Sequence, residues 1–102
     1  MEYIEENYSD NQLTLEKAAD HFKISYYYLS RMFKEQIGTN FVSYLTLLRL
    51  EKAIGYLKNT DYSIEKIALM VGFTDRNSFA RSFKKNYNTT PGSYRKNVSE
   101  KE

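Results

Sequence analysis

Apolar residues recur along the chain at intervals of three and four, the spacing of one face of an α-helix. The alternation of apolar and polar residues that marks a half-buried strand is almost absent. Residues suited to helix N-caps precede the helical runs, and we expect that role for Thr14, Ser25, Ser63, Asp75 and Thr90. The pattern predicts an all-α fold of about seven helices.

The run from 40 to 58 departs from the one-sided pattern, because its apolar residues surround the predicted helix. A helix that is apolar on most sides is usually buried between two other bodies. At a rise of ~1.5 Å per residue, this helix would span roughly 28 Å. We therefore predict a long central helix that joins two lobes.

The segments on either side of this helix resemble each other. Residues 14–19 (Thr-Leu-Glu-Lys-Ala-Ala) match 63–68 (Ser-Ile-Glu-Lys-Ile-Ala), and 29–34 match 79–84. Each pair of short helices around a tight turn predicts a helix-turn-helix unit. We place the first unit at about 14–37, the linker helix at about 40–58 and the second unit at about 63–87.

Some apolar and basic residues are predicted to lie inside the fold. From the second helix of the first unit, we expect the core to take Tyr28, Leu29, Met32, Phe33 and Ile37. Arg49 lies on the central helix, where an unpaired charge is costly. We expect it to pair with a carboxylate, either Glu65 or Glu51.

The opposite faces of the two second helices carry cations beside smaller groups. These faces present Tyr27, Ser30, Arg31 and Lys34 in the first unit, and Asn77, Ala80, Arg81 and Lys84 in the second. Arginine pairs bidentately with guanine in the major groove, whereas lysine suits phosphate as a point charge. The matched positions of Arg31 and Arg81 favour contact with duplex DNA over two chance surface arginines.

The charge distribution is uneven although the net charge is only +2. Acidic residues crowd the start of the chain, whereas 76–96 contains six basic residues and no acidic one. Such a distribution concentrates positive potential on one face, or it is an ordinary solvated surface. Charge alone does not decide between the two.

The chain lacks the residues that enzymatic catalysis or metal binding would need. His21 is the only histidine, there is no cysteine, and no glycine-rich phosphate loop is present. We therefore predict no catalytic residue, no metal site and no cofactor. Neither a secretory signal nor an apolar run of ~18 residues is present, so we expect a cytoplasmic protein with no membrane partner.

The specific motifs resemble the AraC/XylS family of transcription regulators. The resemblance covers about Ile4 to Arg95 and rests on 28–34, Phe41, 44–45, 49–50 and Ala53, and on 67–73, 79–84, 90–91 and 94–95. It implies an AraC-type DNA-binding domain over 1–95, followed by a polar tail at 96–102. Two positions depart from the family pattern, since Lys23 and Asn88 stand where glycine is usual.

The resemblance also implies function. Family members bind promoter DNA, contact RNA polymerase, usually activate transcription, and mostly carry a second, sensor domain. The implied base-reading residues are Tyr27, Ser30 and Arg31 in the first unit and Arg76, Asn77, Ser78 and Arg81 in the second. The opening 2–8 looks like the entry to the DNA-binding domain of a response regulator with an N-terminal receiver, and a short stand-alone regulator is the alternative.

Contacts to the DNA backbone are predicted at two kinds of position. Lys34, Lys84 and Lys85 are expected to contact phosphates, and the helix N-termini at Thr14, Ser63 and Thr90 offer backbone amides for the same purpose. The competing hypothesis is a helical protein-interaction module that uses the same polar faces. A steep loss of nucleic-acid affinity with salt would favour DNA binding, and indifference to salt would favour the module.

Overall fold

The computed structural model describes residues 2–101, with side chains described as far as Ser99. Over this range it is all-helical, which confirms the predicted fold class. The helices are α1 (Glu2–Asn7), α2 (Leu15–Phe22), α3 (Tyr26–Met32), α4 (Phe41–Asn59), α5 (Ile64–Met70), α6 (Arg76–Tyr87) and α7 (Pro91–Lys101). A single π-helical turn, Phe33–Ile37, continues α3.

The predicted N-caps are confirmed by their hydrogen bonds. In each case the side-chain oxygen accepts from the backbone N–H three residues further on, which satisfies a donor that the helix itself leaves free. The donor–acceptor distances are 3.1 Å for Thr14, 3.0 Å for Ser25, 3.0 Å for Ser63, 2.7 Å for Asp75 and 3.1 Å for Thr90.

Three helices end in the left-handed conformation. Gly38 has a φ of 88° and closes the π-turn. Lys23 and Asn88, the two departures from the family's glycine pattern, adopt φ values of 58° and 60°. Asparagine tolerates this region better than lysine does, so Lys23 carries the greater backbone strain.

The central helix α4 is confirmed as the link between two separate cores. Its buried residues Phe41, Leu45 and Leu48 join one cluster, and Leu50, Ala53 and Leu57 join another. We call α1, α2, α3 with its π-turn, and α4 up to Leu48 the first lobe. The second lobe comprises α4 from Leu50 together with α5, α6 and α7.

Helix α7 continues beyond Arg95, after which the sequence analysis expected a polar tail. It starts at Pro91, a residue that suits the first helical position, and it continues to Lys101. No glycine or proline follows Gly92, so nothing in the chain stops the helix at Arg95. Of the polar tail expected at 96–102, residues 96–101 are therefore helical, and Glu102 lies outside the described residues.

Two predictions about the interior are wrong. Tyr28 is 61% exposed, because the side chains that point at the core are those of Leu29 on α3 and Phe33 at the start of the π-turn, four residues apart. Arg49 does not pair with a carboxylate. Its Nε donates to the Tyr8 carbonyl at 2.8 Å and its Nη2 to the Asp10 carbonyl at 2.9 Å. Glu51, two residues away on α4, lies on a different side of the helix.

Candidate nucleic-acid interface

Both helix-turn-helix units have small residues where their helices cross. Ala18 and Ala19 on α2 and Ala68 on α5 are buried, which lets α3 and α6 pack closely across them. The turn from α2 to α3 occupies 23–25 and that from α5 to α6 occupies 71–75. The second turn is the longer one, as the repeat indicates, because the offset between matching residues rises from 49 in the first helices to 50 in the second.

The predicted base-reading residues of the second unit, which we call its recognition face, lie on the N-terminal half of α6. Arg76, Asn77 and Arg81 are exposed and Ser78 is half-buried. The Arg81 Nη2 lies 3.5 Å from the Ser78 hydroxyl oxygen. The structure thus brings two of the predicted base-reading residues together on one turn of the helix.

The cap of α6 contributes to the electrostatics of this face. The backbone N–H of Ser78, and then its hydroxyl, hydrogen-bond to Asp75 and hold the pKa of that carboxyl below its ordinary value, with a smaller contribution from the Arg81 charge. Asp75 is therefore ionised at neutral pH. Its charge interacts with the Arg81 guanidinium, which also reaches the Ser78 hydroxyl.

The first recognition face carries aromatic groups instead. Tyr27 is 81% exposed, and its ring lies 5.6 Å from that of Tyr26 in an edge-on arrangement. Arg31 is exposed and Ser30 half-buried. All seven residues predicted to read bases are therefore accessible, three on α3 and four on α6.

The lysines predicted to contact phosphate have no acidic partners in the described part of the chain. Lys34, Lys84 and Lys85 are exposed. Among the side chains of 2–99, the ion pair that forms is the one between Lys52 and Glu5, at 3.4 Å. The three lysines keep their charge available for a polyanion.

A cleft of about 360 Å³ links α2, α3 and the start of α4. Its lining includes Thr14, Ser30, Tyr26 and Asn40, so the helix cap predicted to contact phosphate adjoins a predicted base reader. The other two predicted caps lie elsewhere. Ser63 is at the end of α5 away from the turn, and Thr90 lies beyond the C-terminal end of α6.

A second cleft of about 300 Å³ separates α4 from α6 and is lined by Val42, Thr46 and Lys85, among others. Val42 and Thr46 also line the first cleft. The N-terminal half of α4 therefore lies between α3 and α6. Val42 is 71% exposed. The sequence indicates this exposure, because Val42 does not share the helical spacing of Phe41, Leu45 and Leu48, which point at the core.

Tyr28 is an exposed residue beside the candidate interface that the sequence analysis placed in the core. It lines a small depression on the flank of α3 together with Arg31. The internal repeat contained the signal, because an offset of 50 residues aligns Tyr28 with Ser78. Ser78 was predicted to read bases, whereas Tyr28 was placed in the core.

The comparisons with known proteins agree with this double helix-turn-helix architecture. A family described as "Helix-turn-helix domain" matches residues 18–97. The probable transcription factor PqrA of Proteus vulgaris is 38% identical over 85 residues, which are 83% of this chain and 70% of that protein. The chain spans about a third of the length of other curated relatives that it matches, 33% in two cases.

Two solved structures are similar in fold and sequence. The C-terminal domain of the two-component response regulator yesN from Fusobacterium nucleatum is 44% identical, with a TM-score of 0.89, and covers 92% of this chain and 91% of that one. The C-terminal domain of AraT, a response regulator from Geobacillus stearothermophilus, is 38% identical, with a TM-score of 0.92, and covers 94% and 79%.

The fold and its two exposed recognition helices define a double helix-turn-helix protein. The chain belongs to the AraC-type family of helix-turn-helix transcription regulators. That family consists of DNA-binding regulators and not of enzymes, as the sequence predicted. None of the described helices has both the length and the apolar character needed to cross a bilayer.

Proposed function

We propose that this chain binds duplex DNA sequence-specifically, with α3 and α6 in successive segments of the major groove. The observation that carries the proposal is the placement of two exposed, partly cationic recognition helices on either side of the same half of α4. One chain then does what two subunits do in a dimeric repressor.

The two cores lie on opposite halves of the central helix, so its length limits how far apart the lobes can hold their recognition helices. Helix α4 has 19 residues, which corresponds to roughly 28 Å at ~1.5 Å per residue. Successive major-groove segments on one side of B-DNA lie ~34 Å apart. We expect the DNA to bend toward the protein so that both helices can enter, and Val42 and Thr46 would then face the backbone between the two segments.

The proposed contacts divide into two classes. Arg31 and Arg81 pair with base edges, while Lys34, Lys84 and Lys85 neutralise phosphates. The remaining proposed base contacts come from Tyr27, Ser30, Arg76, Asn77 and Ser78. Backbone amides at the helix starts capped by Thr14, Ser63 and Thr90 add further phosphate contacts.

We also propose a wider context for the chain. The two solved structures described above are C-terminal domains of response regulators, which supports an N-terminal receiver in the same protein. A DNA-bound regulator of this kind acts in the cytoplasm, next to RNA polymerase, and we propose the polymerase as its second partner. Activation of transcription is the expected result.

Selection from a random duplex pool tests the function directly. The chain is incubated with the pool at near-physiological salt and excess competitor, and the bound DNA is sequenced. We expect two enriched blocks about one helical turn apart, with affinity that falls steeply as salt rises. No enrichment by a folded sample, with binding indifferent to salt, would favour the protein-interaction module.

A further inference from the structure

The two lobes are joined at a second place besides α4. Arg49, at the middle of the central helix, donates hydrogen bonds to the carbonyls of Tyr8 and Asp10 in the loop after α1. Gly72, in the turn of the second helix-turn-helix unit, packs against the same atoms. A Cβ at that position would lie 2.5 Å from the Tyr8 carbonyl oxygen and 2.7 Å from the Arg49 Nε.

The Tyr8 side chain extends the contact into both cores. It packs against the buried clusters of the first and the second lobe. Burial raises the pKa of the Tyr8 phenol, and Tyr56 of the second lobe adds to the shift. The Lys52 ammonium lies 5.7 Å from the centre of the Tyr8 ring and also pairs with Glu5 of α1.

A single helix between two lobes fixes their distance but allows bending and twisting about its axis. The loop after α1 touches α4 and the second turn together, so it provides an off-axis attachment. Gly72 permits this close approach, since it has no Cβ and adopts a φ of 104°. The junction of Tyr8, Arg49 and Gly72 therefore restrains the angle between the lobes.

We propose that Arg49 and Gly72 are positioning residues that set the spacing and rotational phase at which α3 and α6 meet DNA. This inference rests on the proposed function for its DNA consequence, but the restraint on the lobes does not. One base pair of added spacer moves a block by ~3.4 Å and by roughly 34°. A protein with a rigid junction should lose affinity for the altered site, whereas one with a loose junction should retain it.

Matched variants separate this role from general stability. Arg49→Lys keeps the charge, but its compact ammonium replaces the planar fork that reaches two carbonyls. Its control is Arg95→Lys, because Arg95 donates to the carbonyls of Leu57, Thr60 and Tyr62, all within the second lobe.

A second pair of variants tests the same junction through the backbone. Gly72→Ala introduces both the strain of a positive φ and the clash with the junction. Its control is Gly38→Ala, where φ is also positive, at 88°, but nothing lies within 4 Å of the added Cβ.

The first readout needs no DNA. The chain has no native cysteine, so nitroxide labels on Asp20→Cys and Glu65→Cys, exposed positions on α2 and α5, report only the distance between the lobes. We expect one narrow distance distribution in the parent and both controls, and a broader one in Arg49→Lys and Gly72→Ala. Narrow distributions in folded Arg49→Lys and Gly72→Ala, or equal broadening in the controls, would overturn the proposal.

The second readout uses the selected DNA site with its spacer changed by one base pair. The parent should lose affinity about tenfold, a loss comparable to that from a mismatched base pair, and Arg49→Lys should lose about twofold or less. Arg95→Lys should retain the parent's discrimination. Broadened distances together with no DNA binding by the parent would support the junction and contradict the proposed function alone.

Discussion

Helix α3 opens with three exposed tyrosines, whereas α6 opens with Arg76, Asn77 and Ser78. The two helices occupy equivalent places in a repeated scaffold, and each is fixed by a side-chain cap at its first turn. Tyrosine offers a ring to stack on sugars or to meet the thymine methyl group, while arginine and asparagine read donors and acceptors. The repeat thus provides two copies of one support with two different exposed surfaces, which we propose read different features of DNA.

The lobes also differ in charge and in the end of the recognition helix. Acidic residues outnumber basic ones in the first lobe, and the second lobe has the reverse balance. Helix α3 finishes in a π-turn closed by Gly38, whereas α6 remains α-helical to its cap at Asn88. We infer that the second lobe supplies most of the salt-dependent affinity and the first lobe a more apolar contact.

Removal of a core aromatic ring tests whether the lobes have separate cores and should give the largest effect. Phe33 and Phe83 occupy equivalent positions and are fully buried in the first and second clusters, respectively. Phe33→Ala and Phe83→Ala should each lower the free energy of unfolding by about 3–5 kcal/mol. Urea denaturation measures the loss, and hydrogen exchange should show that each variant loosens its own lobe first. A loss below about 1 kcal/mol in either variant would contradict the assignment of that core.

Removal of the Arg95 guanidinium should give the next largest loss of stability, because this group holds the loop between α4 and α5. Arg95→Leu leaves three carbonyls without their donor, and we expect a loss of about 2–4 kcal/mol in the free energy of unfolding. The neighbouring exposed Lys96→Leu is the control and should change it by about 0.5 kcal/mol at most. Equal effects of the two substitutions, measured by thermal and urea unfolding, would show that the carbonyl contacts contribute little.

Binding measurements test whether Arg81 and Lys84 of the second lobe have different roles, one with bases and the other with phosphates. Arg81→Ala should weaken binding to the selected site by ~1–3 kcal/mol and relax the preference at one base position. Lys84→Ala should weaken binding to all sequences about equally and lower the salt slope by about 1. Fluorescence anisotropy over a salt series measures both. A changed base preference in the lysine variant, with none in the arginine variant, would reverse the proposed roles.

The smallest predicted effect is a difference in acid sensitivity between α6, which is capped by Asp75, and α3, which is capped by Ser25. The pKa of Asp75 is lowered in the folded state from an ordinary value of 3.8, so its stabilising contribution is complete above that value. It is lost as pH falls through the lower, folded pKa. Ser25 caps α3 without a titratable group. Amide exchange of α6 should therefore accelerate in acid more than that of α3, and Asp75→Ser should remove the difference. An unchanged difference in Asp75→Ser would assign the acid effect to another group.

Local signals explain how much of the fold could be predicted. The caps at Thr14, Ser25, Ser63, Asp75 and Thr90 and the apolar spacing between them depend on residues within a few positions of each other. The two-sided apolar pattern of α4 likewise identified a helix between two cores. The length of α7 was missed because its continuation needs only the absence of a stop signal.

Residues whose environment is set by distant segments could not be predicted in the same way. Arg49 meets a loop that lies 41 and 39 residues earlier in the chain, and no local pattern indicates that its partners are carbonyl groups. Tyr28 lies beside the inward positions of α3, and periodicity alone does not separate a flank from a core. The exposure of Arg31 and Arg81 was easier to predict, because both lie on a repeated face outside the apolar stripe. Their contacts with DNA stay a prediction.

The central claim is tested most directly by whether each arginine variant loses sequence information in only one of the two enriched DNA blocks. The random-pool selection is run in parallel with the parent, Arg31→Ala and Arg81→Ala, all three shown to be folded. We predict that the parent enriches two blocks, that Arg31→Ala loses information in one block, and that Arg81→Ala loses it in the other. Loss in the same block for both variants, or unchanged blocks in both, would contradict the account of two lobes that read two neighbouring stretches of DNA.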